Sequence, residues 1–352
     1  MKKLHASLIA IALTAVFGTA NAVSLSNGTV YSANEGNASI SAITLSTGAV
    51  VTVDIPVVPH NVQISPDGKL ILAVGPAREA HEGHGGDAKD GHGNANSSHE
   101  AAADLGLVLL KASEPDELIA SLPAGSHPAH VVTSQDGAFA YITNADTDRV
   151  SVVDMNRKAI VAEIPTGGYP HGLRLSPDGT QLFVANVTDN SVSVIDTQSL
   201  KESARIKVGK APVQVAFTPD GKQVYVSLRD EDSVAVINTT NQKVTDKIKV
   251  GRGPIQLFST PDGSKIYVAN EGTASNPDNT VSVIDTGKKQ VVATVTTDKG
   301  AHGVVVSDDG KFAFITNNKA DTVSAIDTET QRVVATYEVG PNPNGITYRA
   351  TQ

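Results

Sequence analysis

Ten histidines offer the clearest chemistry in this sequence, and four of them share one stretch. Residues 81–100 read HEGHGGDAKDGHGNANSSHE and contain His81, His84, His92 and His99 among acidic side chains. Imidazole and carboxylate both bind divalent metal ions. A polar, glycine-rich segment must lose chain entropy to coordinate a metal ion, so we expect loose binding. The stretch therefore predicts a metal-capture segment, with a plain solvated insertion as the alternative interpretation.

Other histidines recur at one position of a repeated unit. Five residues before a Ser/Thr-x-Asp-Gly turn stand His60, His171 and His302. Where that position is apolar, the next residue is Gln or His, which adds His130, with His127 nearby. Three imidazoles and a water form a known Zn²⁺ ligand set, and imidazole also binds Cu²⁺. We therefore predict Zn²⁺ as the cofactor, with Cu²⁺ as the alternative metal. The other interpretation is that these histidines have a structural role and hold buried water in the channel.

Composition limits the other possibilities. The chain has no cysteine, which excludes disulfides, thiolate ligands and cysteine nucleophiles. Its net charge of −9 disfavours nucleic acid as a partner, because phosphate binding needs clustered Lys and Arg. The sequence contains no GxSxG, HExxH, phosphate-binding loop or CxxCH motif.

The N-terminal residues have the pattern of an export signal. Two lysines precede an apolar run from Leu8 to Phe17, and Ala20-Asn21-Ala22 is a small-x-small cleavage pattern. We expect residues 1–22 to be a signal peptide and residues 23–352 to form one exported domain, located in a bacterial periplasm. We expect no membrane insertion, because no later run approaches the roughly 18 apolar residues of a spanning helix.

A repeated turn gives the organisation of this domain. Turns of the SPDG type begin at Ser65, Ser134, Ser176, Thr218, Thr260 and Ser307. Successive turns are 69, 42, 42, 42 and 47 residues apart, and insertions at residues 76–104 and 271–279 account for the two longer intervals, so the chain is a repeat protein. Each unit reads as four antiparallel strands, the size of one propeller blade. Counting strands predicts an all-β, seven-bladed β-propeller, in which the C-terminal strand joins the three N-terminal strands and closes the ring.

The strand sequences also carry a family resemblance. The segments YITNADTDRVSVVD, FVANVTDNSVSVID and FITNNKADTVSAID resemble the YVTN-type β-propeller repeat family. The resemblance extends over essentially the whole exported domain and implies a propeller. Propellers of this kind have many functions, so it implies little about activity.

The repeat places the candidate ligands on one face of the propeller. His60, His171 and His302 belong to blades one, three and six, spaced as evenly as seven blades allow. If the channel is too wide for one shared ion, His60, His130 and His171 on consecutive blades form the tighter alternative. The insertion at residues 76–104 joins the second and third strands of blade one, so it lies on the same face.

Three functions of different classes remain open from the sequence. The first is a periplasmic divalent-metal binding protein or metallochaperone, similar in plan to propeller-type periplasmic zinc metallochaperones. It would act as a monomer and pass its ion to a metal-transporter component. The second is a lyase or lactonase that uses His171 or His302 as acid–base, since the fold permits catalysis. The third is a non-catalytic scaffold that binds protein through the loop face.

Overall fold

Seven four-stranded antiparallel sheets make up this computed structural model, which describes residue 25, residues 27–78 and residues 105–351. In each sheet the four strands are hydrogen-bonded in chain order, except where the chain ends meet. The inner strands are almost continuously buried, whereas outermost strands such as Lys201–Lys207 and Lys243–Lys249 alternate exposed and partly buried residues. The predicted all-β, seven-bladed propeller with four strands per blade is confirmed.

The strands are numbered along the chain, and blades are counted from the one that follows the first three strands. Blades one to three consist of β4 (Asn61–Ile64), β5 (Leu70–Val74), β6 (Leu105–Lys111) and β7 (Glu114–Pro123); β8 (Pro128–Thr133), β9 (Phe139–Asn144), β10 (Arg149–Asp154) and β11 (Ala159–Pro165); and β12 (Pro170–Leu175), β13 (Gln181–Asn186), β14 (Ser191–Asp196) and β15 (Lys201–Lys207). Blades four to six consist of β16 (Pro212–Phe217), β17 (Gln223–Leu228), β18 (Ser233–Asn238) and β19 (Lys243–Lys249); β20 (Pro254–Ser259), β21 (Lys265–Thr273), β22 (Asn276–Asp285) and β23 (Gln290–Thr296); and β24 (Ala301–Val306), β25 (Phe312–Asn317), β26 (Thr322–Asp327) and β27 (Arg332–Glu338). Two short 3₁₀ turns cover Glu35–Asn37 and Arg229–Glu231.

Blade seven joins the two ends of the described chain. It consists of β28 (Pro343–Ala350), β1 (Gly28–Asn34), β2 (Ser39–Thr44) and β3 (Ala49–Asp54). Strand β28 pairs with β1 in antiparallel register, with Gly28 opposite Ala350. The predicted closure of the ring is therefore confirmed, and this pairing covers the inner edge of β1.

Seven apolar cores hold neighbouring blades together, one at each blade-to-blade contact. Phe183 of blade three and Val226 of blade four belong to one of these cores, and both are fully buried. Every core draws on two adjacent sheets, so removing water from apolar surface favours the stacking of blades as well as their folding. The innermost strands of adjacent blades contact one another around the ring, and they form the wall of a central channel.

The repeated Asp-Gly turns have a structural role. In the first of them Ser65 donates a hydrogen bond to Asp67, and Asp67 accepts another from the backbone N–H of Lys69. Gly68 has a φ of 70°, in the left-handed region that glycine tolerates best. The aspartate side chains are thus engaged in shaping the turns.

Two predicted segments lie outside the described residues: the signal peptide at residues 1–22 and the histidine-bearing part of the insertion. Before the insertion leaves the described chain, the backbone N–H of Arg78 donates to the carbonyl of Pro56, and Ala77 forms a β-bridge with Val57. Among the described residues, no helix is long and apolar enough to cross a membrane.

Candidate functional site at the channel mouth

Three histidines from consecutive blades meet in the central channel. His60 directly precedes β4, while His130 lies in β8 and His171 in β12. In β8 and β12 the pairing with the next strand shifts just after the strand begins, between Pro128 and Val131 and between Pro170 and Leu173. An irregularity of this kind re-aims side chains near a strand end. We call His60, His130 and His171 the histidine cluster.

The three rings are in direct contact. Their centroids are 5.3 Å apart for His60 and His130, 5.0 Å for His60 and His171, and 4.7 Å for His130 and His171. The Nε2 atoms of His60 and His171 are 3.0 Å apart. One nitrogen of each ring lies within 4.8 Å of the others. Ligands that share a tetrahedral ion with bonds near 2 Å are separated by roughly 3.3 Å, so the cluster is close to the geometry of a metal site.

The outer nitrogens of two rings have acceptors. His60 Nδ1 lies 2.5 Å from Glu35 Oε1, and His171 Nδ1 lies 3.2 Å from the carbonyl oxygen of Val213. A carbonyl oxygen only accepts, so Nδ1 of His171 carries the proton and its neutral ring presents a lone pair at Nε2. Glu35 favours the same tautomer in His60. Two Nε2 lone pairs therefore face each other at 3.0 Å, an arrangement that needs a proton or a cation between them.

The third ring is the most enclosed. His130 has no exposed surface, and its Nε2 has no hydrogen-bond partner among the described residues. On the other side of the ring, Nδ1 lies 3.4 Å from the side-chain amide of Gln214. A buried polar atom without a partner costs about 1–3 kcal/mol, and binding a ligand there would remove that cost.

Burial keeps the inner rings neutral. Removal from water lowers the pKa of His171 to about 3, with the charge of His60 as a further cause. The pKa of His130 lies well below its ordinary value, also mainly because of burial. Burial opposes ionisation of Glu35, but the charge and hydrogen bond of His60 outweigh it and lower the pKa of Glu35 to about 2. Neutral rings at His130 and His171 and an ionised Glu35 are the protonation states that metal ligation requires of these three groups.

His302 is bonded to a carboxylate of its own and does not join the cluster. Its Nδ1 lies 3.3 Å from Glu271 Oε2, and Asn318 donates to Glu271 Oε1 at 2.7 Å. We call this the Glu271–His302 pair. The Nε2 atom of His302 also has no hydrogen-bond partner within the described part of the chain. Burial opposes ionisation of Glu271, but the charge and hydrogen bond of His302, helped by Asn318, lower the pKa of Glu271 to about 2.

A pocket of about 360 Å³ opens over the histidine cluster. Its lining includes His60 and His171, together with Glu35, Pro76 and Tyr169. His127 lies at the same pocket with its side chain half exposed, and its Nδ1 is 3.2 Å from Asp146 Oδ1. The insertion begins at Pro76, so its start borders the pocket. His81, His84, His92 and His99 lie outside the described residues.

Sequence reasoning missed both carboxylates, although a signal was present. Glu35 and Glu271 each follow an Ala-Asn pair at the end of a second-in-blade strand and precede a glycine, giving ANEG twice. In both cases the next blade begins its innermost strand with a histidine of the first column, His60 or His302. Before the third such histidine, His171, the corresponding position is Ala145. A carboxylate at this position therefore contacts the histidine of the following blade.

Part of the chain matches the sequence model of a family that is named for a haem domain. Residues 126–271, less than half of the chain, match the family model of the cytochrome D1 heme domain, which is of propeller type. This match does not confirm the resemblance to the YVTN-type repeat. No curated protein matches the chain.

Solved structures are similar in fold. Hydrazine synthase from Kuenenia stuttgartiensis is 23% identical, with 83% of this chain and 90% of that chain covered and a TM-score of 0.66. A functionally unknown protein from Desulfotomaculum acetoxidans is 16% identical over 93% and 100%, with a TM-score of 0.72. A provisionally assigned 6-phosphogluconolactonase from Bacteroides fragilis is 15% identical over 94% and 99%, with a TM-score of 0.70. At these identities the similarity establishes the fold alone.

The cofactor predicted from sequence, Zn²⁺ with Cu²⁺ as the alternative, is wrong. The family model that matches is that of a haem domain, which points to a haem-type group and not to a zinc or copper ion. The physical reason for the error is that imidazole binds iron as well as zinc and copper, so a pattern of histidines does not select the element.

The histidine cluster does not fit a porphyrin. In a haem with two imidazole ligands, the macrocycle lies between the two coordinating nitrogens. Here His60 Nε2 and His171 Nε2 are 3.0 Å apart and the three rings touch, which leaves no space for that plane. His130 is fully buried and cannot present a nitrogen to an external macrocycle.

Proposed function

We propose that this chain is a metal-binding propeller protein whose histidine cluster holds one divalent transition-metal ion. The observation that carries the proposal is the pair of Nε2 atoms of His60 and His171, which face each other at 3.0 Å. Neutral imidazoles in this arrangement repel each other through their lone pairs, and a cation between them turns that repulsion into two bonds. The proposal concerns the ligand set and does not assign the element.

His130 supplies the third nitrogen. Its ring centroid is 4.7 Å from that of His171, and its Nε2 lacks any other partner among the residues of known placement. Three imidazoles leave one position of a tetrahedral ion open to water or to an exchanging ligand. Such an open position suits transfer of the ion as well as storage.

The outer contacts of the cluster support the same function. Glu35 holds His60 through Nδ1, and the carbonyl of Val213 holds His171 through Nδ1. Histidines that bind metal usually donate their other N–H to a carboxylate or a backbone carbonyl, which fixes the tautomer and the ring orientation.

The insertion at residues 76–104 acts in this proposal as the capture segment. Its start at Pro76 lines the pocket over the cluster, which favours delivery from the insertion to the channel. The protein is exported to a periplasm and passes the ion, as a monomer, to a component of a metal transporter. The segment's composition and the export-type N-terminus support these steps.

Titration of metal-free protein with Co²⁺ tests the proposal, because a low-coordinate Co²⁺ site with nitrogen ligands absorbs strongly in the visible range. We expect one strongly absorbing site in the wild type and its loss in His171→Ala. His127→Ala, which removes a half-exposed histidine at the same pocket, is the matched control and keeps the spectrum. An unchanged spectrum and affinity in His171→Ala would refute the proposed ligand set.

The family match favours a second candidate, a haem-type group bound at the pocket above the cluster. His127 is the accessible imidazole there, and Tyr169, Pro76 and Ala129 offer apolar surface. His127 would hold a haem there, and the haem would supply redox chemistry. Titration with hemin separates the candidates: a Soret shift that His127→Ala removes and His171→Ala keeps supports the haem, and no shift in the wild type rejects it.

A further inference from the structure

One arginine lies inside the channel beyond the histidine cluster. Arg174 belongs to β12, three residues after His171, and the preceding Leu173 packs in the core between blades two and three. The Cζ atom of Arg174 lies 5.8 Å from the centre of the Phe258 ring, on the innermost strand of blade five. Because this contact joins blades three and five, the guanidinium reaches across the channel.

The guanidinium of Arg174 has no counter-ion among the described residues. Its one hydrogen bond there runs from Nη1 to the carbonyl oxygen of Leu173, at 3.1 Å, so further N–H donors remain for a ligand. Removal from water lowers the pKa of Arg174 to about 10, and no carboxylate of the described chain raises it again. The side chain therefore stays charged at neutral pH. An enclosed charge without a partner is costly, and an anion beside it removes that cost.

An amide donor without a partner lies on the strand that Arg174 contacts. Gln256 and Phe258 are two residues apart in β20, and Leu257 between them packs in the core between blades four and five. Alternation along the strand therefore puts Gln256 and Phe258 on the channel face. Nε2 of Gln256 is buried and has no hydrogen-bond partner within the residues of known placement. Arg174 keeps part of its surface accessible, so a water-sized solute can reach it.

We infer that the channel binds a small monovalent inorganic anion, with chloride as the simplest case, held by the guanidinium of Arg174 and the amide of Gln256. Such an anion satisfies an unpaired charge and an unpaired donor at once. The site uses none of the proposed metal ligands, so it goes beyond the proposed function. After burial and the neighbouring imidazoles, the charge of Arg174 also lowers the pKa of His130, so the anion would shield the histidine cluster from that charge.

Metal-free protein tests this inference, so the result does not depend on the metal site. Chloride is exchanged for gluconate, a bulky anion, at constant ionic strength. In the wild type, chloride should raise the thermal midpoint saturably and broaden the chloride NMR line, and bromide should compete. Arg174→Met should weaken chloride binding at least about tenfold, because hydrogen bonds between charged groups are the strong ones. Arg205→Met, which removes an arginine paired with Glu202 on the outer strand β15, is the matched control and should respond as the wild type does.

A second variant protects the test against misfolding of Arg174→Met. Gln256→Glu places a carboxylate on the channel face beside the guanidinium, so it should raise the thermal midpoint in chloride-free buffer and abolish most of the chloride effect. Gln256→Met removes the donor without adding charge and should weaken chloride binding severalfold. Equal responses of the wild type to chloride and gluconate overturn the inference, because they indicate screening and not a site. Wild-type chloride affinity in Arg174→Met, or a full chloride effect in Gln256→Glu, overturns it as well.

Discussion

The histidine cluster and the Glu271–His302 pair begin from the same sequence motif and end differently. In both, the glutamate of an ANEG segment contacts the histidine that begins the next blade. After His60, the next two blades contribute His130 and His171, and three rings meet. After His302, the following blade contributes Asn344, and among the described histidines ring contacts join only His60, His130 and His171. A carboxylate–imidazole pair therefore orients one ligand, and the neighbouring blades decide whether it becomes a site.

Removing one imidazole from each of the two regions should give the largest difference in Co²⁺ affinity. His130→Ala is expected to weaken Co²⁺ binding at the channel at least about 100-fold, because two imidazoles hold an ion much less well than three. His302→Ala should leave it within about threefold, since the group of candidate ligand nitrogens comes from His60, His130 and His171 and not from His302. Both variants retain the insertion, so any loose binding by residues 81–100 appears equally in both titrations. Equal losses in the two variants would mean that the distinction between the regions is false.

Acid should act on the Glu271–His302 pair even in the absence of metal. The pKa of Glu271 is lowered from 4.5 to about 2 in the folded protein. A carboxylate with a depressed pKa contributes stability above the unfolded-state pKa, and that stability is lost as the pH falls through the folded value. The wild type should therefore lose up to about 3 kcal/mol between pH 4.5 and 2 through this group, an upper estimate.

Urea unfolding at a series of pH values measures this loss. Glu271→Gln removes the titrating group, so its free energy of unfolding should vary less with pH over that range. Glu117→Gln, an exposed glutamate paired with Lys111, is the control and should follow the wild type. Parallel profiles for Glu271→Gln and the wild type would contradict the assignment.

The two glutamates should differ in their effect on metal affinity. Glu35→Gln keeps the size of the side chain but weakens its hold on His60, and loss of an outer contact of this kind costs about tenfold or more in affinity. Glu271→Gln should leave Co²⁺ affinity at the cluster unchanged. Competition with a chelator of known affinity measures both. If Glu271→Gln weakened the cluster as much as Glu35→Gln, the two regions would have to be coupled.

The smallest expected effect on Co²⁺ affinity comes from placing a glutamate in blade two, at the position that Glu35 and Glu271 occupy in their blades. Ala145 occupies the position of Glu35 and Glu271, and it lines the pocket beside His171. Ala145→Glu should strengthen Co²⁺ binding by no more than about threefold, because the carbonyl of Val213 already fixes His171. Ala145→Gln is the control without charge. A loss of affinity in Ala145→Glu alone would show that a carboxylate there competes for the ion.

The propeller could be predicted from sequence because its information is local and repeated. Each Asp-Gly turn, each alternating strand and the split of blade seven between the chain ends can be recognised without knowing any distance. The histidine cluster was only one of two alternatives, because the choice between His302 and His130 depends on the channel radius and on the strand irregularities near Pro128 and Pro170. These are properties of sheet twist and not of residue type.

Neither the residues that hold the histidines from outside nor the identity of the metal could be predicted from the sequence, for different reasons. The role of Glu35 depends on a contact between blades that the repeat shows only once ANEG is compared with the histidine of the next blade. The zinc and copper assignment failed because imidazole coordinates many metals, so the ligand type alone is uninformative.

The closure of blade seven also affects when the protein becomes functional during its synthesis. Nδ1 of His60 lies within hydrogen-bond distance of both Glu35 Oε1 and the side-chain amide of Asn344, and the carbonyl of His60 accepts from the backbone N–H of Gly345. These partners are separated by more than three hundred residues, so the surroundings of the first ligand are completed only after nearly the whole chain has been made. Contacts of such long range form late in folding. The histidine cluster is therefore expected to bind metal only after the propeller has closed. A fragment that ends before β28 would contain all the histidines but would lack the contacts that orient His60.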